Sequence, residues 1–127
     1  MPEHRPVWEF ADAWVLGSIG VYGRPCTLVE LIAAADWMNH AMLLKAEVES
    51  ALGKLAGAGL ARVMEDWTFD LTDEGAELWS QPATDVLARL QLVEEQLSAF
   101  DPQSRSVQLP REAMETALAE YRDRPLD

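Results

Sequence analysis

Residues 51–78 read Ala-Leu-Gly-Lys-Leu-Ala-Gly-Ala-Gly-Leu-Ala-Arg-Val-Met-Glu-Asp-Trp-Thr-Phe-Asp-Leu-Thr-Asp-Glu-Gly-Ala-Glu-Leu, and this stretch decides the fold. It ends one helix, makes a hairpin and starts another helix. Gly57-Ala-Gly59 closes the first of these, because glycine enters the left-handed conformation of a helix C-cap without steric cost. Residues 60–64 and 67–71 read as short strands joined by a tight turn at Glu65-Asp66. Thr72 then caps a short helix reaching about Ser80. From Val63 to Gln81 the chain carries six acids and no Lys or Arg. A hairpin of that charge is repelled by phosphate.

Upstream, apolar spacing predicts a helix over residues 43–58 with Leu44, Val48, Ala51, Leu52 and Leu55 inward. Residues 36–42 read as a turn. Before it, Thr27-Leu-Val-Glu30 is a capping box that opens a helix to about Ala35, with Leu28, Leu31, Ile32 and Ala35 inward. Gly23-Arg24-Pro25 breaks the chain. A first helix is expected over residues 6–22, where Pro6 suits the first turn. Its apolar face is broad: Val7, Phe10, Ala11, Trp14, Val15, Ser18, Ile19 and Tyr22, with Trp8, Leu16 and Val21 beyond it. Such a helix is buried on more than one side. Gly17 and Gly20 lower helix propensity and permit close approach of a neighbour.

Downstream, a helix is expected over residues 82–100, opened by Pro82. Ala83, Val86, Leu90, Val93, Leu97 and Phe100 are spaced as an a/d seam, widened by Leu87 and Leu92. A polar linker covers residues 101–108, and a last helix over residues 110–122 carries Met114, Ala117, Leu118 and Tyr121. One small core does not easily take all these stripes. The reading is therefore a homodimer with Val86, Leu90, Val93, Leu97 and Phe100 at its interface. Residues 1–81 form one part and residues 82–127 a dimerisation element, together a single structural unit.

The chain has 127 residues, 49% of them hydrophobic, enough for one globular domain with a real core. Ten basic residues against 22 acids give a net charge of −12. That balance favours solubility and opposes nonspecific contact with nucleic acid or anionic membrane. The lone Cys26 excludes an intramolecular disulfide and fits a reducing compartment. Neither a leader segment nor an apolar run of membrane-spanning length is evident, so the expected location is cytoplasmic with no membrane partner.

The order helix, helix, turn, helix, strand, hairpin, strand, then C-terminal helices resembles the winged helix-turn-helix domains of bacterial transcription regulators of the MarR and PadR kind. The residues carrying the resemblance are Thr27-Leu-Val-Glu-Leu31, Ala51-Leu-Gly-Lys-Leu55 through Gly59-Leu60, and Phe69-Asp-Leu-Thr-Asp-Glu-Gly75. The resemblance implies a mostly α fold with a small β-hairpin wing and two C-terminal helices. It also implies that the third helix reads base edges, that the wing meets phosphate, and that terminal helices dimerise. Lys45, Ser50, Lys54 and Arg62 are the candidate DNA contacts, and Glu47 and Glu49 face out with them as acceptors for cytosine. The third helix is nearly neutral and the wing acidic. The expected function is therefore a regulatory or interaction module working mainly through protein contacts. The alternative is a dimeric DNA-binding transcriptional regulator.

Other chemistries find little support. Gly17-x-x-Gly20-x-x-Gly23 has the wrong spacing for a dinucleotide fingerprint, and Gly53-Lys54 lies inside a helix rather than a phosphate loop. Two His and one Cys, far apart, give neither a zinc site nor a catalytic triad, and the acids at 66–74 do not match a calcium loop. No enzyme activity, cofactor or metal is expected. Five Trp are many for this length; most read as core, with Trp37 or Trp67 the candidates for a ligand cleft or partner surface.

Overall fold

Every residue from Asp12 to Ile19 is buried, so the first helix is the centre of the molecule rather than one of its sides. The computed structural model describes residues 7–103 and 105–123. Its elements are α1 (Phe10–Gly20), β1 (Cys26–Thr27), α2 (Leu28–Asn39), α3 (Lys45–Gly57), β2 (Ala61–Val63), β3 (Thr68–Leu71), α4 (Asp73–Trp79), α5 (Val86–Leu97) and α6 (Arg111–Arg122). The chain is thus mostly helical with a small antiparallel sheet in the order β1-β3-β2. Cys26 pairs with Phe69 on one side of β3, and Arg62 pairs with Asp70 on the other.

Helices α2, α3, α4 and α5 all pack on α1. The Trp14 indole donates to the Ala35 carbonyl of α2 at 2.9 Å, which satisfies its one polar atom inside the core. Gly17 and Gly20 press on Trp79 of α4. A Cβ there would stand 2.7 and 2.6 Å from the indole, so the two glycines permit the approach their spacing suggested.

The glycine-rich end of α3 has a specific geometry. The Leu60 N–H reaches the Leu55 carbonyl at 2.8 Å and the Gly59 N–H reaches Ala56 at 3.1 Å, with Gly59 at φ 79°. This is a Schellman closure, sealed by the fully buried pair Leu55 and Leu60. Thr72 returns to the same place. Its hydroxyl donates to the Gly59 carbonyl at 2.7 Å and accepts from the Gly75 N–H at 3.2 Å. A Cβ on Gly75 would meet the Leu60 carbonyl at 2.1 Å. The Leu55–Leu60 turn and the Thr72–Gly75 cap are therefore two halves of one clamp. The Thr27–Glu30 capping box also forms, with Glu30 N to Thr27 Oγ1 at 3.3 Å and Thr27 N to Glu30 Oε1 at 3.0 Å.

Several boundaries differ from the sequence reading. Pro6 lies outside the described residues; α1 begins at Phe10, and Val7 is exposed rather than inward. Helix α2 continues through Asp36 to Asn39 and stops at His40, whose φ is 51°. Leu44 is not inward: it is the N-cap of α3 and 66% exposed, while Leu43 is buried in its place. Helix α5 starts four residues later than Pro82. Asp85 fixes that start by accepting the Ala88 N–H at 2.7 Å. Strand β1 has too few residues to leave a periodic signal.

The seam of α5 is already covered within the chain. Leu90, Val93 and Leu97 are 0% exposed in the same core as α1, and Val86 and Phe100 are half-buried. The stripe expected at an interface between two copies is thus already used inside one chain, where α1 needs a cover on that side and α5 supplies it. Helix α6 packs on α2, where the Tyr121 hydroxyl donates to the Asp36 carboxylate. Leu90, Val93, Leu97, Leu109, Met114 and Ala117 belong to the same core as the rest. No described helix is long and apolar enough to cross a membrane.

Candidate functional site

The segment joining α5 to α6 was read as a polar linker, but it is a strap across α3. The Leu109 N–H donates to Glu49 Oε2 at 2.7 Å and the Arg105 N–H to the Gly53 carbonyl at 3.0 Å. At Gly57 a Cβ would lie 1.6 Å from the Gln103 carbonyl oxygen. Positions 49, 53 and 57 recur every four residues, which is one face of a helix. Leu109, 3% exposed, anchors the far end of the strap in the core. Gly57, which the sequence offers with Gly59 as a helix terminator, instead lies inside α3 where the strap backbone comes close.

The four residues expected to meet DNA are not brought together. Lys45 and Ser50 share the open N-terminal half of α3. The Lys45 ammonium is 2.9 Å from Glu49, and this contact, with the Leu109 N–H, holds the Glu49 carboxyl below its ordinary range. Glu47 turns back to accept the Leu44 N–H at 2.8 Å. Lys54 is not a surface residue. It is 4% exposed, with its Nζ 2.7 Å from Asp12 Oδ2 and 2.7 Å from the Val7 carbonyl. A buried carboxylate in α1 requires a cation, and position 54 faces it. Arg62 is exposed on β2, with a long 3.6 Å contact to Asp70 across the sheet.

Trp67 lines two of the clefts that open beside the β2–β3 hairpin. One, of about 470 Å³, lies between Arg62, Val63, Met64 and Trp67 of the hairpin and Arg105 and Val107 of the strap. The other, of about 350 Å³, lies between the start of α2, the hairpin tip and α6, where Asp66, Glu112 and Glu120 make it acidic. Trp67 has φ 57°, a left-handed conformation that costs a bulky side chain energy. The turn imposes it. Trp67 N–H donates to Met64 O at 3.1 Å, Met64 N–H to Thr68 O at 2.9 Å, and Asp66 Oδ1 accepts the Thr68 hydroxyl at 2.7 Å. Trp67 thus lines a cleft, as one of the two tryptophans singled out in the sequence. Trp37, the other, is 64% exposed near the end of α2 and is followed by the exposed Met42 and Leu44.

Reactive chemistry is sparse. Burial pushes the Cys26 thiol up to about 12, so it stays protonated and inert near neutrality. Among the described residues no three His, Cys, Asp or Glu are placed to hold a metal ion. Compared with protein-family models, curated proteins and solved structures, the chain matches none.

Proposed function

We propose that the chain is a winged helix-turn-helix module that acts through protein contacts in the cytoplasm and does not read DNA. The element order and the β1-β3-β2 sheet support the winged-helix reading. So does the clamp between the end of α3 and the Thr72 cap. One observation carries the functional part: the strap runs over α3 at Glu49, Gly53 and Gly57, and Lys54 is locked inside. A helix that reads the major groove needs an open face lined with donors. What stays open here is a short stretch with Lys45 paired to Glu49, and the hairpin offers Arg62 beside Glu65 and Asp66. Affinity for duplex DNA comes largely from neutralising several phosphates, which this face does not do. The exposed Trp37, Met42 and Leu44 supply apolar anchors for a protein partner instead.

The test is selection from a random duplex pool at physiological salt, followed by anisotropy titration of the enriched sequences. The expected result is no sequence enriched and no saturable binding below micromolar concentration. Nanomolar, sequence-selective binding overturns the proposal in favour of a DNA-binding regulator.

A further inference from the structure

The turn between α2 and α3 leaves apolar side chains in the open. Trp37 is 64% exposed, Leu44 66% and Met42 39%. Ala41 and Ala46 are exposed close by in the chain, and Ala33, one turn before Trp37 on α2, is half-buried. Large apolar side chains gathered on a surface in this way mark contact sites. The patch also has a sign. Residues 31–50 carry Asp36, Glu47 and Glu49 against the single lysine Lys45, and Lys45 is taken by Glu49 at 2.9 Å. Asp36 and Glu47 accept from neutral donors, the Tyr121 hydroxyl and the Leu44 N–H, and among the described residues neither has an ion pair. Helix α6, which packs on α2, adds Arg111 and Arg122 against Glu112, Glu115, Glu120 and, at its C-cap, Asp123. Acids thus stand beside Trp37 and Leu44 with no cation paired to them.

We propose that Trp37, Met42 and Leu44 seat a basic amphipathic helix of another protein, its apolar stripe on these side chains and its Lys or Arg residues beside Asp36 and Glu47. The inference rests on the protein-contact reading above and supplies the chemistry of the partner. Charge opposes a second copy as the occupant. A two-fold contact would set Asp36 and Glu47 against the same acids of its mate, between chains that each carry −12. The same acids repel an anionic bilayer, which surface-bound helices meet with Lys and Arg. The patch also decides the partner's secondary structure. It lies between two helices, Leu28–Asn39 and Lys45–Gly57, and contains no strand edge. An extended peptide draws its affinity from main-chain bonds to such an edge. None is offered here, so the partner satisfies its own backbone and binds through side chains, as a helix does.

The test selects binders to the full chain from a displayed peptide library whose positions vary freely among Leu, Ala, Lys, Glu and Ser. Counter-selection uses the variant Trp37→Ser/Leu44→Ser, which changes two exposed side chains, keeps the net charge and should melt like the parent. Nonspecific attraction of basic peptides to an acidic protein is therefore removed. The enriched peptides should carry Leu at i, i+3, i+4 and i+7, with Lys in excess over Glu. They should bind the parent at least about tenfold more tightly than the variant and lose saturable binding when their Lys are replaced by Glu. In the ¹⁵N-labelled chain they should shift the amides of residues 36–46 and the Trp37 indole N–H. Peptides that seat on this patch without an excess of Lys overturn the basic helix and leave the protein-contact reading intact. No enrichment over the variant overturns both. Self-association of the chain alone in sedimentation equilibrium, abolished in the variant, assigns the patch to a second copy. Anionic vesicles that bind the parent and not the variant assign it to a membrane. Either result overturns the proposal.

Discussion

Lys54 and Asp12 form an ion pair of 2.7 Å with almost no solvent at either side chain, joining the last turn of α3 to the first turn of α1. The pair does not float free in the core. Asp12 Oδ2 also accepts the Glu9 N–H at 2.7 Å, and the ammonium also meets the Val7 carbonyl. Burial raises the Asp12 carboxyl above its ordinary range, and the Lys54 contact opposes that rise. Removing one partner leaves the other charged and buried. Lys54→Met should therefore cost about 3–5 kcal/mol in denaturant unfolding. Lys54→Met/Asp12→Asn should recover part of that loss, because no unpaired charge remains. Equal losses in the single and double variants would show that packing, and not charge, sets the cost.

Gly57→Ala tests the strap. In an isolated helix this change is stabilising by about 1 kcal/mol. Here the new methyl would meet the Gln103 carbonyl at 1.6 Å, a distance the backbone must move to avoid. The expected outcome has the opposite sign, a loss of about 1–3 kcal/mol. Hydrogen exchange should rise at Gln103 and across residues 105–109 and stay unchanged in α2. A stabilised variant with a protected Leu109 N–H would mean that the strap does not sit on this face.

Glu30 gives the clearest dependence on pH. Its carboxyl is lowered from 4.5 to about 2, first by the hydrogen bond from Arg24, at 2.6 Å, and then by the Thr27 N–H. The folded value lies below the unfolded one. The stabilisation is therefore complete above about pH 4.5 and is lost as pH falls toward 2. Asp12, raised in the fold, acts in the opposite sense. Glu30→Gln should reduce stability near neutrality and flatten the acid limb of the stability curve over that window. An unchanged limb would show that other carboxylates govern acid unfolding.

Leu90→Ala separates a core residue from an interface residue. Leu90 is fully buried inside one chain, so its truncation should cost about 2–5 kcal/mol. The mass in sedimentation equilibrium should not change. A variant of full stability and altered mass would return the α5 seam to an interface between copies.

Local signals in the sequence were reliable where one residue type has one structural use. The Thr27 and Thr72 caps, the Gly59 closure and the approach of Gly17 and Gly20 to Trp79 all follow from such residues. Faces were less legible. The pattern at Leu90, Val93 and Leu97 says that a stripe is buried but not against what, and α1 turned out to need it. Lys54 was read as exposed because lysine seldom goes inside; its partner is 42 positions away at Asp12 and leaves no periodic mark. The strap was hidden for a similar reason. Its bonds to α3 use its own backbone N–H groups, which every sequence has.

The central place of α1 sets an order of events during synthesis. Residues 10–20 leave the ribosome before α5, residues 86–97, which covers one side of this helix. Until that late segment emerges, the nascent chain carries an apolar helix with an open flank. Loop closure over so many residues is also slow compared with forming the local α1–α2, α3–β2 and hairpin contacts. Chains that stop before α5 therefore present to chaperones and proteases the surface that the finished molecule keeps innermost.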